Sequence, residues 1–148
     1  MAMAVLSLLF VQPGAAALEN VEFTIELNGL KLWCKVSGTG PVCLMPSPDW
    51  GPSSDYCFRT LKPMEKLFTV VYLNSRGRGR SQEPKSAMDH SWDDRIADLD
   101  ALRIHLKQHK VWLIGHSEGG MHILQYACRH PNRVSEAVFC QPPLLLVG

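Results

Sequence analysis

The stretch Gly115-His116-Ser117-Glu118-Gly119-Gly120 joins two segments of different periodicity, and that junction constrains the fold more than any other part of the chain. Before it, Val111-Trp112-Leu113-Ile114 is a short apolar run of the kind a buried strand shows. After it, Met121 to Cys128 reads as a helix stopped by Pro131. A strand that turns sharply into a helix at a serine is a nucleophile elbow, a turn that holds the hydroxyl exposed above a sheet edge. The glycines suit that geometry, since a Cβ at Gly115 or Gly119 would meet the neighbouring strand or helix. The alternative for the same residues is a glycine-rich turn whose serine only caps the helix.

The rest of the chain alternates strands and helices. Val21 to Leu27 alternates apolar and polar residues, as a half-buried strand does. Asn28-Gly29 is a strong hairpin signal, and Leu30 to Val36 supplies the returning strand. Val42 to Met45 and Thr69 to Leu73 read as buried strands, separated by a Pro- and Ser-rich loop (46–53) and a helix over Tyr56 to Lys66 interrupted near Pro63. Ser91, with Asp94 three residues on, forms a capping box that opens a helix. Ile96, Leu99, Leu102 and Leu106 mark the buried stripe of that helix, with Asp93, Asp94, Arg95, Asp98 and Arg103 expected mainly on the wet side. Ala137 to Cys140 adds a final strand, with Val134 as its earliest start. A hairpin followed by strand-helix units predicts an α/β fold in which an antiparallel hairpin feeds a parallel sheet with flanking helices.

Composition excludes several classes. A chain of 148 residues is long enough for one domain with a real core, and its 46% hydrophobic and 20% charged residues are those of a globular protein. A net charge of +1 gives no basis for a nucleic-acid or anionic-membrane partner. Cys34, Cys43, Cys57, Cys128 and Cys140 are odd in number and form no C-x-x-C, so neither a metal site nor a disulfide framework is implied, and buried free thiols are expected. Arg76, Arg78 and Arg80 among glycines make one short arginine-glycine copy without a basic flank, too little for RNA binding. Gly77-Arg78-Gly79 lacks the third glycine of a dinucleotide fingerprint, and no cofactor is implied.

Residues 1–17 stand apart from the fold. Ala4 to Val11 is a short apolar core followed by Ala15-Ala16-Ala17, the order of a secretory signal with a small-residue cleavage site, although no Lys or Arg precedes it. It is too short to span a membrane. Read as a signal it implies secretion; read as an upstream apolar strand or a mistranslated start it leaves the chain cytoplasmic.

From about Asn28 to Pro143 the chain resembles the N-terminal half of an α/β-hydrolase, and most of all the proline iminopeptidase branch. Three segments carry the likeness: the loop Pro46 to Tyr56, where that branch has an H-G-G-P-G-type turn; Asn74-Ser75-Arg76-Gly77-Arg78-Gly79-Arg80-Ser81, similar to its D-x-R-G-x-G-x-S turn; and the elbow. The resemblance implies that Ser117 attacks a carbonyl of a small molecule or short peptide and forms an acyl-enzyme that water cleaves. The oxyanion then needs two N–H donors. One is the backbone N–H of Glu118. Alignment of Pro48 with the family's proline makes the Ser47 N–H the second, ahead of Trp50, whereas Pro46 and Pro48 donate nothing. The loop lacks the family's His and all three of its glycines, and its alternative is a rigid turn without a catalytic part. The resemblance also implies that Arg76 ties loops together near the site and that His116 is packed within the elbow. An aspartate-nucleophile epoxide hydrolase or dehalogenase on the same fold is disfavoured by the serine.

In such a fold the triad runs Ser, then Asp or Glu, then His along the chain. After the elbow helix's first turn the chain offers only Glu136 and His130, neither at the end of a later strand, while His122 lies too close along the chain to reach back. His90, His105 and His109 flank the capped helix and are expected in solvent. Residues 18–148 are therefore expected to form an incomplete domain, truncated after the strand that follows the elbow helix and lacking cap, acid and base. Two functions follow from this: the inactive front half of a serine hydrolase acting on a peptide, ester or lactone, or a non-catalytic binding or dimerising remnant. The strand at 134–140 and Leu144 to Val147 would then form an apolar sheet edge expected to self-associate.

Overall fold

The computed structural model describes residues 20–48 and 53–140. The signal-like segment, Trp50 and the tail from Leu144 to Val147 lie outside the described residues.

Six strands form one sheet: β1 (Val21–Leu27), β2 (Leu30–Gly38), β3 (Val42–Pro46), β4 (Thr69–Leu73), β5 (Val111–His116) and β6 (Val134–Cys140), in the order β1-β2-β4-β3-β5-β6. The first two form the expected hairpin, with Leu27 facing Leu30 across a two-residue turn. Asn28 (φ 50°) and Gly29 (φ 77°) both take positive φ, the pair of left-handed residues that an Asn-Gly turn supplies with little strain. β2 pairs antiparallel with β4, and from β4 onward β3, β5 and β6 run parallel.

Helices cover both faces. Tyr56 ends a 3-10 turn over Ser54–Tyr56, followed by α1 (Cys57–Thr60) and a second 3-10 turn over Lys62–Lys66 that contains Pro63, so the interrupted helix is three short pieces. These pack on Met45, Val70, Tyr72 and Ile114. On the opposite face lie α2 (Trp92–His105) and α3 (Glu118–Arg129), packed on Leu44, Val71, Leu73 and Leu113. Ser91 caps α2 through a full capping box, and Ile96, Leu99, Leu102 and Leu106 are buried as the pattern predicts.

Two of the polar residues expected in water are not there. Asp98 (2% exposed) and Arg103 (6% exposed) are buried. Asp98 receives a two-pronged ion pair from Arg76, Nε to Oδ2 and Nη2 to Oδ1 both at 2.8 Å, and the Asn28 side chain also donates to its Oδ1 at 2.9 Å. Arg103 pairs with Asp100 at 2.8 Å and donates to the Gln108 carbonyl. Compensating partners make such burial tolerable. Cys34, Cys43 and Cys57 are buried free thiols, burial pushing the first two to about 12; Cys128 is exposed and Cys140 half-buried.

Candidate active site

Ser117 sits between the last residue of β5 and the first of α3 with φ 52° and ψ −128°. A side chain rarely adopts positive φ, because its Cβ crowds the carbonyl, so the neighbouring structure must impose it. Its N–H is tied to the Cys140 carbonyl at 3.0 Å, and its carbonyl accepts from Gly120 N–H at 2.9 Å. Its hydroxyl makes no capping bond to α3. A serine present merely to cap the helix would make that bond.

The glycines permit the close passage of strand and helix. A Cβ on Gly115 would lie 2.5 Å from the Gly119 carbonyl oxygen and 2.6 Å from Gly120 Cα, both backbone atoms that no rotamer change can move. A Cβ on Gly119 would lie 3.0 Å from the Pro46 carbonyl oxygen. The loop after β3 therefore rests directly on the first turn of α3, beside Ser117. Glu118 opens that helix, so its backbone N–H belongs to the positive end of the dipole. Its carboxylate, 8% exposed, meets Arg95 at 3.3 Å.

Ser47 departs from its expected role. Its N–H donates to the Leu73 carbonyl at 2.8 Å, extending the β3–β4 ladder by one bond. Its Oγ accepts from Ser75 N–H and its carbonyl accepts from Ser75 Oγ, each at 2.9 Å. An amide carries one hydrogen, so the Ser47 N–H is not available to an oxyanion in this arrangement. Ser47 instead stitches the ends of β3 and β4 together.

The three arginines of the turn after β4 each have partners within the fold. Besides Asp98, Arg76 donates to the Asp89 carbonyl at 2.6 Å and meets Asp94 at 3.5 Å, tying the turn to α2. Burial would lower its pKa, but these carboxylates outweigh burial and raise it. Arg78 donates to the Gly77 carbonyl, and Arg80 stacks 3.5 Å above the Trp33 ring while pairing with Asp55. Asn74, where the resembling turn has Asp, accepts from both Ser54 N–H (3.1 Å) and Ser54 Oγ (2.7 Å).

No histidine is hydrogen-bonded to Ser117 among the described residues. His122 is fully buried, 3.0 Å from the Arg95 carbonyl, and burial pulls its pKa down to about 4. It is the neutral donor that fastens α3 to α2. His116 places Nδ1 2.8 Å from the Tyr56 hydroxyl. The Tyr56 and Asp98 contacts were missed in the sequence. The arginine of the β4 turn was a signal that some carboxylate must answer it, and Asp98 is flanked by stripe residues; nothing comparable flags Tyr56.

A mixed sheet, parallel from β4 to β6, with helices on both faces and a positive-φ serine between strand and helix defines the architecture of an α/β-hydrolase core. The family model for the alpha/beta hydrolase fold matches residues 45–147, and the chain belongs to that family. It is 32% identical over 117 residues to the human serine hydrolase BPHL, covering 77% of this chain and 40% of that protein. A protein of Mycoplasma pneumoniae named as a proline iminopeptidase is 40% identical over 70 residues, 47% of this chain and 22% of its own length. An epoxide hydrolase mutant of Vigna radiata superimposes with a TM-score of 0.76 at 27% identity, over 84% of this chain and 39% of that one. The chain thus spans less than half the length of each of these relatives.

Proposed function

We propose that Ser117 is the nucleophile of a serine hydrolase acting on a peptide, ester or lactone. Its Oγ bonds to the carbonyl carbon, the amine or alcohol leaves with a proton, and water releases the acyl group. The Glu118 N–H, at the helix end, serves as one oxyanion donor. With the Ser47 N–H committed to Leu73, the second donor falls to the amides after Pro48, of which Trp50 is the candidate. The observation that carries this reading is the positive-φ backbone of Ser117 with its hydroxyl left out of helix capping. The acid and base are assigned to residues outside those described, since no described histidine meets Ser117.

A serine without its base loses on the order of 10⁶ in rate. A fluorophosphonate probe is therefore expected to leave the 148-residue chain unlabelled, and to label Ser117 once a cap and C-terminal strands carrying an acid and a histidine are joined to it. Stoichiometric labelling of the short chain, abolished by Ser117→Ala, would overturn the assignment of the base elsewhere. No labelling in the extended protein would overturn the nucleophile. A second reading, a dimerising non-catalytic remnant, is favoured by one observation: β6 has a strand partner on one side only among the described residues, with Val138 and Phe139 more than 40% exposed.

A further inference from the structure

The described residues on either side of positions 49–52 are fastened in place. Upstream, Pro46 rests on Gly119, and Ser47 is bonded to Leu73 and Ser75. Downstream, Ser54 is held by Asn74 and Asp55 by Arg80. Those anchors lead to α3's first turn, to the end of β4 or to the turn after it. One further bond leads to the strand that carries the nucleophile: the Tyr56 hydroxyl lies 2.8 Å from His116 Nδ1, with the two rings 5.4 Å apart at 60°.

We propose that Tyr56 is a positioning residue, which donates its hydroxyl proton to His116 Nδ1, fixes His116 as the Nε2–H tautomer, and thereby pins the turn at Ser54–Tyr56 to the nucleophile elbow. This role rests on the reading of Ser117 as the nucleophile. The direction of the bond follows from donor and acceptor strength. A phenol is a better donor than acceptor, and the bare nitrogen of a neutral imidazole is the strongest acceptor within reach, well ahead of the neighbouring Cys57 sulfur. Burial, the larger cause, and the Cys57 contact keep Tyr56 protonated across the working pH range. With Nδ1 taken, the proton sits on Nε2.

The consequence reaches Ser117 through one peptide bond. His116 is the last residue of β5 and faces Cys140 on β6, whose carbonyl holds the Ser117 N–H. Fixing the His116 ring fixes the side chain immediately before the positive-φ residue, and it sets the distance from the elbow to the turn at Ser54–Tyr56. A nucleophile on a strained turn needs such a tie, because a reacting group about 1 Å out of place loses most of its effect.

The test is nitrogen NMR of the 148-residue chain with ¹⁵N-labelled histidine at pH 8, with the His116 signals assigned through His116→Gln. The expected spectrum has a protonated Nε2 and a bare, hydrogen-bonded Nδ1. In Tyr56→Phe the Nδ1 resonance shifts toward that of a free imidazole nitrogen and the two tautomers mix, while amide exchange over Ser54–Tyr56 quickens at least tenfold. A purely structural tyrosine would lower overall stability in Tyr56→Phe and leave the tautomer as it was. A protonated Nδ1 in the unsubstituted chain, or an Nδ1 resonance indifferent to Tyr56→Phe, overturns the proposal. Neither outcome bears on Ser117 labelling in the extended protein, so the two readings fail separately.

Discussion

Glu65 and His122 are both buried titratable residues, and their surroundings treat charge in opposite ways. Burial acts to raise the Glu65 pKa, but hydrogen bonds from Lys62 (2.7 Å), Ser37 (2.7 Å) and Tyr72 (3.0 Å) outweigh it and hold the carboxylate ionised below its ordinary range. His122 has one carbonyl partner and the edge of Trp92, so burial dominates and its pKa falls from 6.5 to about 4. The folded chain then keeps His122 neutral, while the unfolded chain takes up a proton below about pH 6.5. The stability this confers is complete above that pH and is lost as pH falls toward 4, amounting to about 3 kcal/mol over the interval. Glu65 also loses stability in acid, at lower pH, so the two are separated by substitution. His122→Gln, which retains a donor for the Arg95 carbonyl, is expected to flatten the urea midpoint between pH 6.5 and 4. An unchanged pH slope in the variant would place the titration elsewhere.

At the scale of elements, each junction around the site is set by a few atoms. The contact of β5 with α3 depends on Gly115, and that of α3 with the loop after β3 depends on Gly119. Both substitutions to alanine overpack, but they meet different clearances: 2.5 Å to backbone at Gly115 and 3.0 Å at Gly119. Gly115→Ala is therefore expected to cost about 3 kcal/mol or more, since strand and helix must part, and Gly119→Ala about 1 kcal/mol. Urea unfolding of both variants checks the order; equal costs would mean that α3 is not seated on β5 as described. These junctions were legible because strand and helix periodicities change at the glycines, and the cap at Ser91 and turn at Asn28-Gly29 were legible for the same local reason. Long-range partners were not. Asp98 carries the charge of a wet helix face, and only a guanidinium 22 residues away makes its burial tolerable, whereas Arg103 is answered locally by Asp100 one turn back on α2. The same holds at Ser47: its place in the loop reads from the sequence, but the bond from its N–H to Leu73 depends on how β3 and β4 end together.

At the scale of the whole molecule, the two sides of the sheet end differently. The hairpin edge, β1, carries Glu22, Thr24 and Glu26 with Lys31 and Lys35 across from it, charges that discourage another strand from pairing. β6, the opposite edge, has one charged residue, Glu136, in seven. Val138 and Phe139 point to opposite faces because successive side chains alternate, so both faces at the end of β6 carry half-exposed apolar surface. An apolar edge with no second strand partner among the described residues is a template for a second copy, and edge pairing across a two-fold axis would close it without propagating. The 148-residue chain is therefore expected to sediment as a dimer or larger species at about 100 µM. Val138→Lys, which brings a charge onto the paired edge, should shift it to monomer without altering α2 or α3. Monomeric behaviour of the unsubstituted chain at that concentration would remove the edge as an interface and, with it, the observation that favours a dimerising remnant over a hydrolase segment. Dimerisation abolished by Val138→Lys, in a chain whose Ser117 stays unlabelled, would instead leave the nucleophile reading to rest on the extended protein alone.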